Sequence, residues 1–147
     1  RNEGFKLTMH CDVNQTDIVD HIWQCLDDIQ VDRIDHGINA LEDERLCAEI
    51  AKRGLGLTVC PVSNRFVVQS LTTKEIKSML QKGMKATINS DDPGYFRAYL
   101  TDNFLALIEE AEFSQDEIRQ LNANAFETSW LSAARKKYYL EQVNNFS

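Results

Sequence analysis

The feature that most constrains the fold is a repeated alternation of four short β-rich runs, each closing on polar groups, with segments of helical spacing between them. Leu7-Thr8-Met9-His10 ends in a histidine, and Arg33-Ile34-Asp35-His36-Gly37 ends in histidine and glycine. Gly56-Leu57-Thr58-Val59-Cys60 runs into Pro61-Val62-Ser63-Asn64, and Lys85-Ala86-Thr87-Ile88 into Asn89-Ser90-Asp91-Asp92-Pro93. Between these runs, apolar residues recur at helical intervals: Ile18, Ile22, Leu26 and Ile29, then Leu46, Ala48, Ile50 and Ala51, then Ile76, Met79 and Leu80. The order β-α-β-α-β-α-β predicts an α/β fold with parallel strands and right-handed crossovers.

Helix punctuation supports these boundaries. Thr16 and Asp17 suit the start of the first helix, Glu42 and Asp43 put negative charge at the start of the second, and Gly54 and Gly83 fall where the second and third stop. After Pro93 the pattern becomes helical. Phe104, Leu105, Leu107 and Ile108 mark one helix. Ile118, Leu121, Ala125 and Phe126 mark another, opened by Ser114 with Glu117 in capping-box position, and Tyr138, Leu140 and Val143 mark a third. The expected organisation is one partial domain over 1–147, with βα units over 5–92 and a mainly helical part over 93–147.

Loops after the carboxyl ends of parallel strands build the sites of α/β enzymes, so the residues that end each run are the candidates for chemistry. Asp91 and Asp92 place two carboxylates at such an end, suited to a metal or a polar substrate; an Asx turn stopped by a proline is the plainer alternative. A single histidine at a strand end is commonly a hydrogen-bonded structural residue, but four polar strand ends in one chain favour function for His10 and His36. His21 lies among Ile18, Ile22 and Trp23 inside a helix and reads as a surface or packing residue. Glu109, Glu110 and Glu112 read as a solvated helix face, as do Lys136 and Lys137. The longest connection, Arg65 to Thr73, carries Phe66, Val67 and Val68, which either line a pocket or pack on a rim.

Composition narrows the class. The 147 residues are 43% hydrophobic and 27% charged, enough to bury a sizeable core. No apolar run approaches the roughly 18 residues that cross a bilayer, and there is no signal-peptide pattern, so the expected compartment is the cytoplasm. A net charge of -7 without a Lys/Arg cluster argues against a nucleic-acid partner and leaves a small molecule as the expected ligand. Cys11, Cys25, Cys47 and Cys60 lack C-x-x-C spacing, which argues against a zinc ribbon or a disulfide framework and for reduced, mostly buried thiols.

The segments 33–37, 57–64 and 88–93, in this order and with these helices between them, resemble the carboxyl-terminal half of the adenosine/adenine deaminase family. The likeness runs from about Lys6 to the helix ending near Trp130. It implies the last four strands of a (β/α)8 barrel and a zinc-dependent hydrolase that converts a 6-aminopurine and water to the 6-oxopurine and ammonia. By the same resemblance His10 and Asp91 are zinc ligands, and His36 orients the attacking water and handles its proton. Asp92 bonds the purine ring, and Ser63 and Asn64 stand near the substrate.

Two departures qualify the resemblance. Family members usually read His-Ala-Gly-Glu where this chain reads His10-Cys11-Asp12-Val13, so the glutamate that protonates a ring nitrogen is replaced by Val13. Asp12 is the candidate substitute, although consecutive residues of extended chain point in different directions. The alternatives are an amidohydrolase acting on a different amino-heterocycle and a non-catalytic nucleobase-binding homologue. The second departure is the lack of the family's first-strand His-x-His pair, which completes the zinc site. The chain therefore reads as a fragment, inactive alone, whose partners are the missing amino-terminal half or a second copy joined through exposed sheet edges.

Overall fold

The computed structural model describes residues 3–11 and 14–146. Four strands, β1 (Thr8–Cys11), β2 (Arg33–His36), β3 (Gly56–Val59) and β4 (Lys85–Ile88), lie in the order β1-β2-β3-β4 with every neighbouring pair parallel. Helices α1 (Ile18–Gln24), α2 (Glu44–Arg53), α3 (Pro61–Val68) and α4 (Thr73–Gln81) come between strands, and α5 (Pro93–Phe96), α6 (Leu100–Ala111), α7 (Gln115–Glu127) and α8 (Ala133–Asn145) follow. This is the α/β architecture expected from the alternation, and its parallel sheet has half the strand number of a closed (β/α)8 barrel.

Register decides what each face carries. His10 pairs with Asp35, Asp35 with Thr58, and Thr58 with Thr87, so one row across all four strands is polar. Side chains alternate along a strand, which puts Ile34, Leu57 and Ala86 on the opposite face. There they are fully buried in the core with Ile22, Leu46, Ile50, Ile76, Met79 and Leu121. Burying each large aliphatic side chain contributes about 1.5–3 kcal/mol. The helix layer thus holds the sheet together and leaves the polar row for the other face.

Local chemistry explains several helix ends. The Asp43 side chain accepts from the backbone N–H groups of Arg45 and Leu46 to start α2, Gly54 ends it at φ 63°, and Ser114 with Glu117 forms the capping box of α7. Asp17 occupies the cap of α1 in the left-handed region without a side-chain bond to it.

Three expectations are corrected. The first helix does not run evenly to Ile29: a wider π-helical turn over Cys25–Ile29 follows α1, and Ile29 is 39% exposed while Leu26 is buried. The connection from Arg65 is shorter than the pattern suggested, because Pro61 at the first helical turn presets φ for α3 and only 69–72 link it to α4. Pro93 likewise opens the short helix α5 instead of stopping an Asx turn.

The segment after α7 crosses the amino-terminal ends of the strands. Lys85 pairs with Glu127 at 2.8 Å, and the Arg33 guanidinium carbon lies 4.3 Å from the Trp130 ring centroid. Thr128 sits against Gly56, where a Cβ would meet its Oγ1 at 2.6 Å and its Cβ at 2.7 Å. Gly56→Ala should therefore destabilise the fold by about 1–3 kcal/mol through overpacking, and adding Thr128→Ala should restore most of the loss. Urea unfolding of the single and double variants checks this; equal midpoints for the two would show the contact does not matter. No helix among the described residues is long and apolar enough to cross a membrane.

Candidate active site

The carboxyl ends of β1, β2 and β4 bring His10, His36 and Asp91 to one open pocket of about 480 Å³, which Arg33, Asp35, Thr58 and Cys60 also line. The His10 and His36 rings meet edge to face with centroids 4.7 Å apart. The His36 Nε2 lies 3.9 Å from Asp91 Oδ2. The nitrogen, sulfur and oxygen ligand atoms of His36, Cys60 and Asp91 all lie within 4.8 Å of one another.

Backbone conformation places two of these groups. His36 and Asp91 both sit in the left-handed region, at φ 61° and φ 58°, where an L side chain is held only by its surroundings. Gly37 follows at φ 76° and donates its N–H to the Cys11 carbonyl at 3.3 Å, locking the end of β2 to β1. Asp91 is fixed by the Ser63 hydroxyl, which donates to its Oδ2 at 2.7 Å. Ser63 belongs to α3, so the turn after β3 positions the carboxylate that ends β4.

Below the rim, Asp35 Oδ1 accepts from Thr58 Oγ1 at 2.8 Å and lies 3.4 Å from Arg33 Nε. Three carboxylates gather around the buried Cys60. Burial, and after it Asp91 and Asp35, pushes the Cys60 thiol from 9.0 up to about 12. Cys11, whose sulfur is 4.0 Å from that of Cys25, is pushed to about 12 by burial and by that neighbour. Both thiols are ordinary in the unfolded chain, so between pH 9 and pH 12 the unfolded state loses protons that the folded state keeps. Stability should therefore be undiminished below pH 9 and fall as pH rises through this window. Denaturant titrations of the parent and of Cys60→Ser across that range test this, the variant showing the shallower decline.

Not every residue marked in the sequence reaches the pocket. Asn64 is 1% exposed, and its amide donates to Thr72 Oγ1 at 2.9 Å, so it ties α3 to the following turn rather than lining the site. Asp92 is exposed at the cap of α5, where its carbonyl accepts from the Tyr95 and Phe96 N–H groups. Asp12 and Val13 lie outside the described residues. Sequence reading missed Asp35, Thr58 and Cys60 as pocket residues, although period-two alternation from His10 and its register would have put Asp35 and Thr58 on the same face.

A half-barrel of parallel strands thus gathers imidazole, carboxylate and thiol groups, donor types that can hold a metal ion, at its carboxyl ends. The chain belongs to the adenosine deaminase family, whose sequence profile it matches over residues 1–146. It is 42% identical over 146 residues to an adenine deaminase of Marinomonas sp., covering 98% of this chain and 43% of that protein. An uncharacterized deaminase of Schizosaccharomyces pombe is 43% identical over 148 residues, 100% of this chain and 44% of the relative. The crystal structure of an adenine deaminase from Arthrobacter aurescens superposes with a TM-score of 0.89 at 36% identity, over 97% of this chain and 44% of the other. An amidohydrolase from Burkholderia ambifaria, solved with bound Zn, shares the fold at a TM-score of 0.80 and 21% identity, over 97% and 42% of the two chains. The chain thus spans less than half the length of the relatives it matches, and it corresponds to their carboxyl-terminal part.

Proposed function

We propose that this chain supplies the carboxyl-terminal half of a zinc-dependent active site that hydrolyses a 6-aminopurine to the 6-oxopurine and ammonia. The observation that carries the reading is the meeting of His10, His36 and Asp91 in one pocket, from three separate strand ends. Imidazole and carboxylate are zinc's usual nitrogen and oxygen donors, so the residues present fit the ion. His10 and Asp91 would hold it, and zinc there supplies Lewis acidity and a lowered pKa for water.

The remaining roles fall to the chain's own groups. His36 takes the proton of the attacking water at Nε2, a task suited to an imidazole. Ser63 keeps the Asp91 carboxylate oriented. Asp92, exposed next to Asp91 and outside the pocket lining, is assigned the hydrogen bond to the part of a purine ring that extends past that lining, and Asp12 carries the proton for the ring nitrogen that Val13 cannot deliver. The water oxygen adds to the amino-bearing carbon as the ring nitrogen takes its proton; the carbon–nitrogen bond then breaks, the amine leaving as ammonia with the proton that His36 removed from the water, while the remaining hydroxyl proton restores Asp12. Val13 also supports a second reading, an amidohydrolase of another amino-heterocycle.

Four strands leave β1 with Thr8, Met9 and His10 exposed at the sheet edge. We therefore assign turnover to a closed barrel in which complementary strands cover that edge, either an amino-terminal half or a second copy. The four free buried cysteines favour a reducing, cytoplasmic setting. The test is co-production of this chain with the amino-terminal half of the Marinomonas relative, followed by ammonia release from adenine. A stable, zinc-loaded complex without turnover on any aminopurine would remove the reading.

If Ser63 serves to orient a ligand, Ser63→Ala should weaken zinc binding by about 10- to 100-fold while the fold survives. Competition with a chromophoric chelator measures this directly, and unchanged affinity would count against the role.

A further inference from the structure

We propose that Cys60, His36 and Asp91 form a binding site for a thiophilic divalent cation of the Cd²⁺ kind, with the Cys60 sulfur as a ligand. In a four-coordinate site with bonds of about 2.0–2.3 Å, ligand atoms stand about 3.3–3.8 Å apart. The His36 Nε2 to Asp91 Oδ2 separation, 3.9 Å, is already close to that spacing. The largest separation in the set is within 4.8 Å, which small side-chain rotations close.

The position of Cys60 in the fold explains why its sulfur is available. It is the last residue before α3, with φ -123° and ψ 82°, and it lines the pocket while remaining 4% exposed. Its thiol donates a single hydrogen bond, to the Thr58 carbonyl at 3.4 Å, and an S–H donor gives that bond up at little cost. The other thiols are engaged elsewhere: Cys47 donates to the Ala40 carbonyl at 3.1 Å, and Cys11 faces Cys25 across the core. No other group of three such donors converges among the described residues.

Electrostatics favours a cation at this place. The carboxylates of Asp91 and Asp35 line the same pocket as the Cys60 sulfur and supply negative charge that a divalent ion would satisfy. Arg33, the cation lining the pocket, is turned toward the Trp130 ring and Asp35 at the floor. The donor set of one thiolate, one imidazole and one carboxylate is softer than the nitrogen and oxygen set of the proposed zinc site, and softness selects the ion. On binding, the S–H bond is replaced by a sulfur–metal bond and the proton passes to solvent.

The consequence rests on the proposed function. An ion held here uses the Nε2 of His36, the atom assigned to the proton of the attacking water, so soft cations should inhibit the assembled enzyme. The binding itself is tested on the 147-residue chain alone. Titration with Cd²⁺ in metal-free buffer is expected to raise a near-ultraviolet sulfur-to-metal absorption saturating at one ion per chain. Cys60→Ser and Cys60→Ala should both abolish that band, Cys25→Ser and Cys47→Ser should retain it, and Asp91→Asn or His36→Gln should each weaken binding at least about tenfold.

Circular dichroism shows which variants keep the fold, and the paired Cys60 substitutions guard against one of them failing to do so. A band that survives both Cys60 variants, or that vanishes with Cys25→Ser, overturns the proposal. So does calorimetric uptake of the ion without any sulfur absorption. Cys60-dependent binding that leaves deamination by the assembled enzyme untouched would support the site and count against the role given to His36.

Discussion

Gly37→Ala is expected to destabilise the fold by about 2–4 kcal/mol, the largest loss among the chain's six glycine-to-alanine changes. Two costs coincide at this residue. An alanine at φ 76° meets the left-handed penalty of about 1–2 kcal/mol. Its Cβ would also approach Ile34 Cγ2 at 2.8 Å and Leu57 Cδ2 at 2.9 Å, both on fully buried side chains that have little freedom to yield. A stiffer unfolded chain returns only about 0.4–1 kcal/mol. Gly83 provides the control: it has φ 71°, but a Cβ there would meet no atom within 4 Å, so Gly83→Ala reports the backbone cost alone.

Thermal and urea unfolding of the two variants separate the contributions. Gly37→Ala losing no more than Gly83→Ala would mean that the Ile34 and Leu57 contacts relax freely. A second consequence follows from position. Gly37 directly follows His36 and anchors it through the bond to Cys11, so repacking there should also move the imidazole relative to Asp91. Chemistry and folding are joined at the end of β2.

The parts of the fold that were legible in the sequence are those where one physical signal sufficed. Four β-rich runs and their intervening helical spacings gave four strands in parallel order, because a parallel sheet needs the crossovers that those helices provide. Ser114 with Glu117 announced its helix since an N-cap is a local bond, and the negative charge of Glu42 and Asp43 marked the start of another. The π-helical turn after α1 was not legible: Ile29 keeps helical spacing in sequence, and the winding changes only in three dimensions. The helical start at Pro61 was hidden because a proline before polar residues reads equally as a loop and as a first helical turn.

The site divides along the same line. His10, His36 and Asp91 stood out since each closes a β-rich run, and the structure brings them together. Ser63 was noticed for the substrate, whereas its hydroxyl is committed to Asp91, a pairing across 28 residues that no local pattern displays. Asn64 stood beside it in sequence yet points into the packing around Thr72, since neighbouring residues of a helix face different directions. Cys60 looked like another core thiol, and its burial bears that out. Its sulfur also borders the pocket, which depends on the crossing of β3 into α3 and so left no mark in the local pattern.

Asp91→Asn should separate stability from metal binding more sharply than any other change. The backbone at Asp91 is left-handed at φ 58°, and asparagine tolerates that region as well as aspartate does. Its side-chain carbonyl can still accept from Ser63, so the buried hydroxyl keeps a partner. Removing one of three carboxylates near Cys60 also relieves like-charge repulsion. Folding stability should consequently stay within about 0.5 kcal/mol of the parent, in either direction. Zinc retention should fall further than the roughly 100-fold that losing a merely orienting group costs, because a neutral amide replaces a charged ligand. Calorimetric unfolding alongside equilibrium dialysis against zinc reads both quantities on one preparation. A variant that unfolds more easily yet holds zinc as before would identify Asp91 as a structural residue of the β4 turn, and the carboxyl-terminal contribution to the metal would then have to be sought elsewhere in the pocket.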